Sequence, residues 1–209
     1  MLIEQIQIGG FEIFCYVLGD EKTGIGIVVD PGGAAGPILN RANGKGIKQI
    51  THIVNTHSHV DHVSGNKEAQ EATSAAIAIH ELDAADLTHP NLGMLAMFGA
   101  EPSPPPSILL KDNDIIAFGN ESVRVIHTPG HTLGGICLYF DGHVITGDTL
   151  FVGGIGRTDL PGGSYETLRK SIKERLFTLP DETIVLPGHN YGTTPTSTIA
   201  REKKENVFV

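Results

Sequence analysis

Short apolar runs alternate with turns bearing glycine and proline along most of this chain. Leu2–Ile8, Glu12–Leu18 and Ile25–Asp30 predict three consecutive strands joined through glycines. Pro37–Asn43 predicts a short helix, and Ile50–Asn55 a strand. Gly65–Thr73 and Glu81–Leu87 predict helices on either side of a strand, Ala75–His80. A second group of strands is predicted at Ile115–Phe118, Ser122–His127, Gly135–Phe140, His143–Gly147 and Thr183–Leu186. Ser164–Leu176 places Leu168, Ile172 and Leu176 at helical spacing, and Thr198–Asn206 closes the chain. Two β-rich halves meet at Glu101–Ser107. They predict an α/β (α+β) architecture of two facing sheets with helices outside, a four-layer αββα sandwich.

Length allows one domain over residues 1–209 with a substantial core. The 26 glycines and 12 prolines fit many short strands and tight turns. No apolar run reaches the length of a membrane span. Met1–Gly10 lacks a basic segment and contains Glu4, so no secretory signal is expected. A formal net charge of −9 argues against a nucleic-acid partner. The local basic cluster Arg201–Lys204 is interleaved with Glu202 and Glu205 and reads as a solvated helix face. Cys15 and Cys137 lie inside apolar runs, which predicts buried free thiols and a cytoplasmic, reducing location.

Four turns add chemistry to this frame. Thr56-His57-Ser58-His59-Val60-Asp61-His62 follows the strand Ile50–Asn55. His131 lies in Thr128-Pro129-Gly130-His131, Asp148 in Thr146-Gly147-Asp148-Thr149, and His189 in Leu186-Pro187-Gly188-His189. Each group follows a strand-like segment on a turn able to fix a side chain. Five imidazoles and two carboxylates, with no thiolate, are enough for two metal ions. They suit zinc first, with iron or manganese as alternatives. His57 and His59 are two residues apart and can aim at one ion, while Asp61 and His62 can face another. A neutral imidazole offers one lone pair and cannot bridge two ions. A carboxylate can, and Asp148 is the candidate. Any single histidine here would ordinarily be a surface or capping residue; four strand ends carrying such groups together point to a metal site.

These motifs, in this order and over essentially the whole chain, resemble a metallo-β-lactamase-fold hydrolase. Within that superfamily the chain is similar to the glyoxalase II (hydroxyacylglutathione hydrolase) branch, in its short, single-domain form. The resemblance implies the metallo-β-lactamase sandwich, with His57, His59 and His131 on one ion, Asp61, His62 and His189 on the second, and Asp148 bridging. It makes Asp30, in Asp30-Pro31-Gly32, a support for ligands. β-Lactamases of the best-known class carry Cys at the position of Asp148, and flavodiiron proteins carry Glu at that of His59. Gly156-Arg157-Thr158-Asp159 resembles an element shared by glyoxalase II-like and persulfide dioxygenase proteins. In the classical enzyme a Lys and a Tyr near the positions of Arg157 and Asp159 hold glutathione; the resemblance lets Arg157 replace that Lys, and Tyr191 matches a further Tyr contacting the thiol conjugate. Asp159 does not replace the family's other Tyr. The chain ends at Val209, short of that enzyme's C-terminal helical domain.

The resemblance implies a small-molecule acyl thioester substrate such as S-lactoylglutathione. Asp61 and Asp148 would be catalytic, and Arg157 and Tyr191 would bind substrate. No nucleic acid or membrane partner is expected; the protein would be a monomer or homodimer. The rival is a sulfur dioxygenase using one iron on His57, His131 and Asp148. A non-catalytic binding module is the third reading. Asn91–Ala100, with Met94, Leu95, Met97 and Phe98, reads equally as a packed connector, a mobile wall of the substrate pocket or a dimer contact. His52, His80, His89 and His143 are expected to be structural or exposed, and His127 to be as readily a partner of His131.

Overall fold

The computed structural model describes residues 1–9 and 11–209. Strands β1 (Leu2–Ile8), β2 (Ile13–Asp20), β3 (Ile25–Val29), β4 (Gln49–Val54), β5 (Ala76–His80) and β6 (Ile108–Leu110) form one sheet in that order. The first two pairings are antiparallel and the rest parallel. Parallel neighbours need long crossovers. These carry helices α1 (Ala35–Gly44), α2 (Val60–Val63), α3 (Asn66–Thr73), α4 (Ala84–Thr88) and α5 (Leu92–Phe98).

The second sheet contains β7 (Ile115–Phe118), β8 (Glu121–His127), β9 (Ile136–Phe140) and β10 (His143–Gly147). A small hairpin, β11 (Leu150–Phe151) with β12 (Gly154–Ile155), stands apart. Then come α6 (Tyr165–Ser171), β13 (Ile184–Pro187), β14 (Ser197–Thr198) and α7 (Ile199–Glu205). The sheet order is β14-β13-β10-β9-β8-β7.

Alternation along the strands makes the layers. In β2, Phe14, Tyr16 and Leu18 face the second sheet, where Val123, Val125, Ile136, Leu138 and Phe140 meet them. Cys15 and Val17, on the other face, pack with Ile53, Ile77, Ile79 and the helix residues Ile38 and Leu87. On the outer face of the second sheet, Ile126, Cys137, Val144 and Val185 meet Leu168, Ile172, Leu176 and Ile199. Two sheets covered by helices on both outer faces form the expected αββα sandwich. Each fully buried Leu or Ile contributes about 1.5–3 kcal/mol of transfer free energy. Both cysteines are buried and free. Among the described residues, no helix is long and apolar enough to cross a membrane.

Several elements differ from expectation. Ser164–Leu176 is not one regular helix: Ile172–Leu176 forms a π-helical turn, closed by Phe177 N–H donating to the Ile172 carbonyl at 2.8 Å. The wider turn keeps Leu176 over the sheet beside Leu168 and Ile172, all fully buried. The helix expected from Glu81 begins only at Ala84, because Asp83 is turned inward and fully buried. Asn91–Ala100 contains α5, started by the Asn91 side chain, which accepts from Gly93 N (2.9 Å) and Met94 N (3.1 Å). The basic face at Arg201–Lys204 is not wholly solvated. Glu202 is buried and accepts from Gly153 N (3.0 Å), Ser197 Oγ (2.5 Å) and Asn206 Nδ2 (2.9 Å).

Candidate metal centre

Four strand ends deliver the seven candidate residues to one edge of the sandwich. β4 runs into His57 and His59, then α2 with Asp61 and His62; β8 leads to His131. β10 ends one residue before Asp148 and β13 two before His189. These two strands are parallel, so Asp148 and His189 leave the sheet at the same end. Gly147 turns the chain there with φ +47°, and a Cβ at that position would overlap the Thr56 side chain.

The structure brings all seven together. His57, His59 and His131 form one group and Asp61, His62 and His189 another, each with ligand atoms within 4.8 Å of one another. Asp148 lies between them. Its Oδ1 is 3.2 Å from His62 Nε2, and its Oδ2 is 3.5 Å from both His131 Nε2 and His189 Nε2. Asp61 Oδ2 stands 3.6 Å from His189 Nε2 and 3.9 Å from His62 Nε2.

Hydrogen bonds at the rear of four imidazoles set their tautomers. His131 Nδ1 meets the Arg157 carbonyl at 2.7 Å, and His189 Nδ1 meets the Phe11 carbonyl at 2.8 Å. A carbonyl only accepts, so both Nδ1 atoms carry the proton. His62 Nδ1 meets Asp30 Oδ2 at 3.1 Å. The Thr56 hydroxyl donates to Asp30 Oδ2 at 2.6 Å and is left to accept from His57 Nδ1 at 3.0 Å. All four Nε2 atoms therefore turn lone pairs inward, and His59 presents Nδ1. Asp30 also accepts from Thr56 N at 2.7 Å, so its oxygens are committed to supporting the ligands.

These donors fit divalent metal. His62 Nε2 and His189 Nε2 are 3.1 Å apart, and His131 Nε2 and His59 Nδ1 2.9 Å. Opposed lone pairs at that separation repel unless a cation or proton lies among them. Metal–nitrogen bonds of about 2.0–2.1 Å in a tetrahedral site set ligand-to-ligand edges of about 3.3 Å, close to this spacing. His57 Nε2 and Asp148 Oδ1 are buried without a hydrogen-bond partner, as groups reserved for a cation would be.

Electrostatics agree. Burial, reinforced by the neighbouring His62, holds His57 well below the usual histidine range. Burial and His131 bring His59 down to about 4. At His62 burial opposes the charge, but Asp148 and Asp61 outweigh it and raise the imidazole. Burial likewise works against the Asp148 carboxylate, and His62 and His189 overcome it. The carboxylates thus draw positive charge into the centre. A bound divalent ion answers the same field and leaves the imidazoles neutral.

Of the two residues expected to grip substrate, Tyr191 is at the mouth. It is 56% exposed and stacks on His189 with ring centroids 4.5 Å apart. Burial, then the charges of Asp148 and Asp61, raise its phenol, which stays a hydrogen-bond donor. Arg157 instead turns its guanidinium onto Asp159 in a two-point contact of 2.8 and 2.7 Å, in solvent. Its carbonyl, not its charge, serves the centre. His127 is not the partner of His131: it stacks on His80 at 4.1 Å, and its Nε2 bonds the Leu133 carbonyl at 3.0 Å. Sequence reasoning missed the two carbonyl supports, since any residue type supplies a carbonyl. It also missed Asp83, whose carboxylate accepts hydrogen bonds from the loop of His57 and His59 and from the loop of His131.

The chain is 35% identical to YqgX, a probable metallo-hydrolase of Bacillus subtilis, over 93% of this chain and 90% of that one. It is 34% identical to a hydroxyacylglutathione hydrolase of Pelagibacter ubique, over 85% of this chain and 66% of that protein. Among solved structures it is similar to the B3 metallo-beta-lactamase BLEG-1, with 30% identity, TM-score 0.88 and 99% of both chains covered. TTHA1623, solved in a di-iron-bound form, gives 30% identity and TM-score 0.86 over 99% of this chain and all of that one. ETHE1 from Myxococcus xanthus gives 29% and 0.81, over 99% of this chain and 84% of that one. The family model for the metallo-beta-lactamase superfamily matches residues 8–189, a span that holds both sheets' central strands and every one of the seven converging residues, and the chain belongs to that superfamily.

Proposed function

We propose that this chain is a dinuclear metal hydrolase that cleaves small acyl thioesters such as S-lactoylglutathione. The observation that carries the reading is the position of Asp148, whose two oxygens stand 3.2–3.5 Å from imidazole nitrogens of both ligand groups. A face of His57, His131 and Asp148 around one iron would leave His59, Asp61, His62 and His189 without a task, although all four turn into the same space. The likeness to a hydroxyacylglutathione hydrolase supports the thioester.

Two divalent ions held there, zinc or iron or manganese, would acidify water from a pKa of about 15.7 toward about 7 and polarise the thioester carbonyl. The chain supplies the rest. Asp148 holds the two ligand groups in register. Asp61, with a side chain 20% exposed against 11% for Asp148, is the carboxylate more open to the mouth and accepts a proton from the attacking water. The Tyr191 hydroxyl donates to the thiol-bearing arm. Arg157 would add its charge only after leaving Asp159.

The test is a panel on the full-length chain loaded with zinc or iron. It comprises hydrolysis of S-lactoylglutathione, oxygen uptake with glutathione persulfide, and opening of a β-lactam. Thioester hydrolysis well above the other two is expected. Oxygen uptake or β-lactam hydrolysis with no thioesterase activity would overturn the reading.

A further inference from the structure

Asp83 has no place in the ligand set, yet it is fully buried at the end of the turn that follows β5. Its Oδ2 accepts from Ser58 N at 3.1 Å and from the Thr132 hydroxyl at 2.8 Å. Its Oδ1 accepts from Gly134 N at 2.6 Å. Ser58 lies between His57 and His59, and Thr132 follows His131. One carboxylate thus ties together the two loops that supply the first ligand group. The carboxylate is itself held from its backbone: Asp83 N donates to the His80 carbonyl at 3.0 Å, and Leu87 N returns to the Asp83 carbonyl at 3.1 Å. Gly134 completes the fit, because a Cβ there would come within 2.6 Å of Asp83 Oδ1.

The second ligand group has different supports. His62 leans on Asp30 and His189 on the Phe11 carbonyl. Neither contact involves Asp83. We infer that Asp83 is a positioning residue for the His57, His59 and His131 group alone, setting how tightly that half of the centre holds its ion. The inference rests on the two-ion reading. Burial raises the Asp83 carboxyl above its usual range, and the three hydrogen bonds from Thr132, Gly134 and Ser58 offset part of that cost. Removing a support that orients a ligand typically weakens metal affinity by about 10–100-fold.

The experiment is a chelator titration of the full-length, zinc-loaded chain, with released zinc counted per chain. Four proteins are compared: wild type, Asp83→Asn, Thr132→Val and Thr132→Ser. The wild type should release two ions in two resolvable steps. Asp83→Asn should shift one step by about 10–100-fold and leave the other within about threefold. Thr132→Val removes one donor and should shift the same step by less. Thr132→Ser keeps the hydroxyl and should restore it, which a purely packing role for Thr132 would not do. Two steps in the wild type, with Asp83→Asn moving neither or both equally, would overturn the role of Asp83 and leave the two-ion reading standing. A wild type that releases a single ion would overturn both. If Asp83→Asn fails to fold, the two Thr132 variants decide, and identical release curves for them overturn the proposal.

Discussion

Asp30→Asn tests the chain of hydrogen bonds that points the imidazoles inward. Asp30 has φ +50°, a conformation Asn also adopts, so the substitution alters the carboxylate and leaves the backbone in place. In the native structure Oδ1 accepts from Thr56 N, while Oδ2 accepts from the Thr56 hydroxyl and from His62 Nδ1. An amide can place its oxygen toward Thr56 N only by presenting its NH2 group to the other two. His62 Nδ1 must then accept, which moves the imidazole proton to Nε2, the atom that faces the centre. The Thr56 hydroxyl, now accepting from the amide, must donate to His57 Nδ1, and His57 changes tautomer as well. Flipping the amide instead leaves Thr56 N, on a residue 1% exposed, facing a donor. Losing a buried hydrogen bond to a charged acceptor costs about 1.5–3 kcal/mol. For a chain of this size that lowers the melting temperature by about 3–12 °C at about 2–4 °C per kcal/mol. Metal affinity should fall by about 10–100-fold. Chelator competition on the loaded chain and thermal melting of the stripped chain read the two effects. A lowered melting temperature with unchanged metal affinity would refute the tautomer argument.

Asp148→Ala should loosen both ions together, because its two oxygens stand 3.2–3.5 Å from imidazole nitrogens of both groups; two tightly held ions and near-normal turnover would contradict this. His189→Ala should weaken one ion by at least about tenfold while the other keeps His57, His59, His131 and Asp148; equal loss of both in a metal titration would break the proposed division of ligands. Acidification of the stripped chain should cost stability between pH 6.5 and about 4, since His59 stays neutral in the fold while the unfolded chain takes up its proton. The contribution is complete above 6.5 and declines toward 4 at no more than about 1.4 kcal/mol per pH unit. His59→Gln should reduce the slope of the urea midpoint across that window, with His57, also held low, supplying part of what remains; an unchanged slope would show that His59 does not contribute.

How much could be read from the amino-acid sequence follows from which forces act locally. Short apolar runs separated by glycine- and proline-bearing turns marked most strands of both sheets, and β2, buried at every position, is one such run. The four ligand-bearing turns were legible because glycine, proline and histidine cluster there for local reasons. Ile108–Leu110 was not legible as a strand: three residues are too few to show a period, and they pair only because β5 offers an open edge. The π-helical turn depends on where the sheet lies beneath Ile172 and Leu176. Glu202 and Asp83 look like solvated acids in sequence, and only tertiary donors explain their burial. The carbonyls of Phe11 and Arg157 leave no mark in sequence at all, although they set two of the ligand tautomers.

The proposed chemistry depends on seven side chains holding two ions. Its most direct test is the metal content of the full-length chain purified without added metal, counted per chain by elemental analysis and set against thioester turnover of the same preparation. Close to two ions per chain are expected, zinc or a zinc and iron mixture, with turnover that falls as they are removed and returns as they are restored. One iron per chain, with His189→Ala leaving that content unchanged and oxygen consumed in place of thioester, would contradict it.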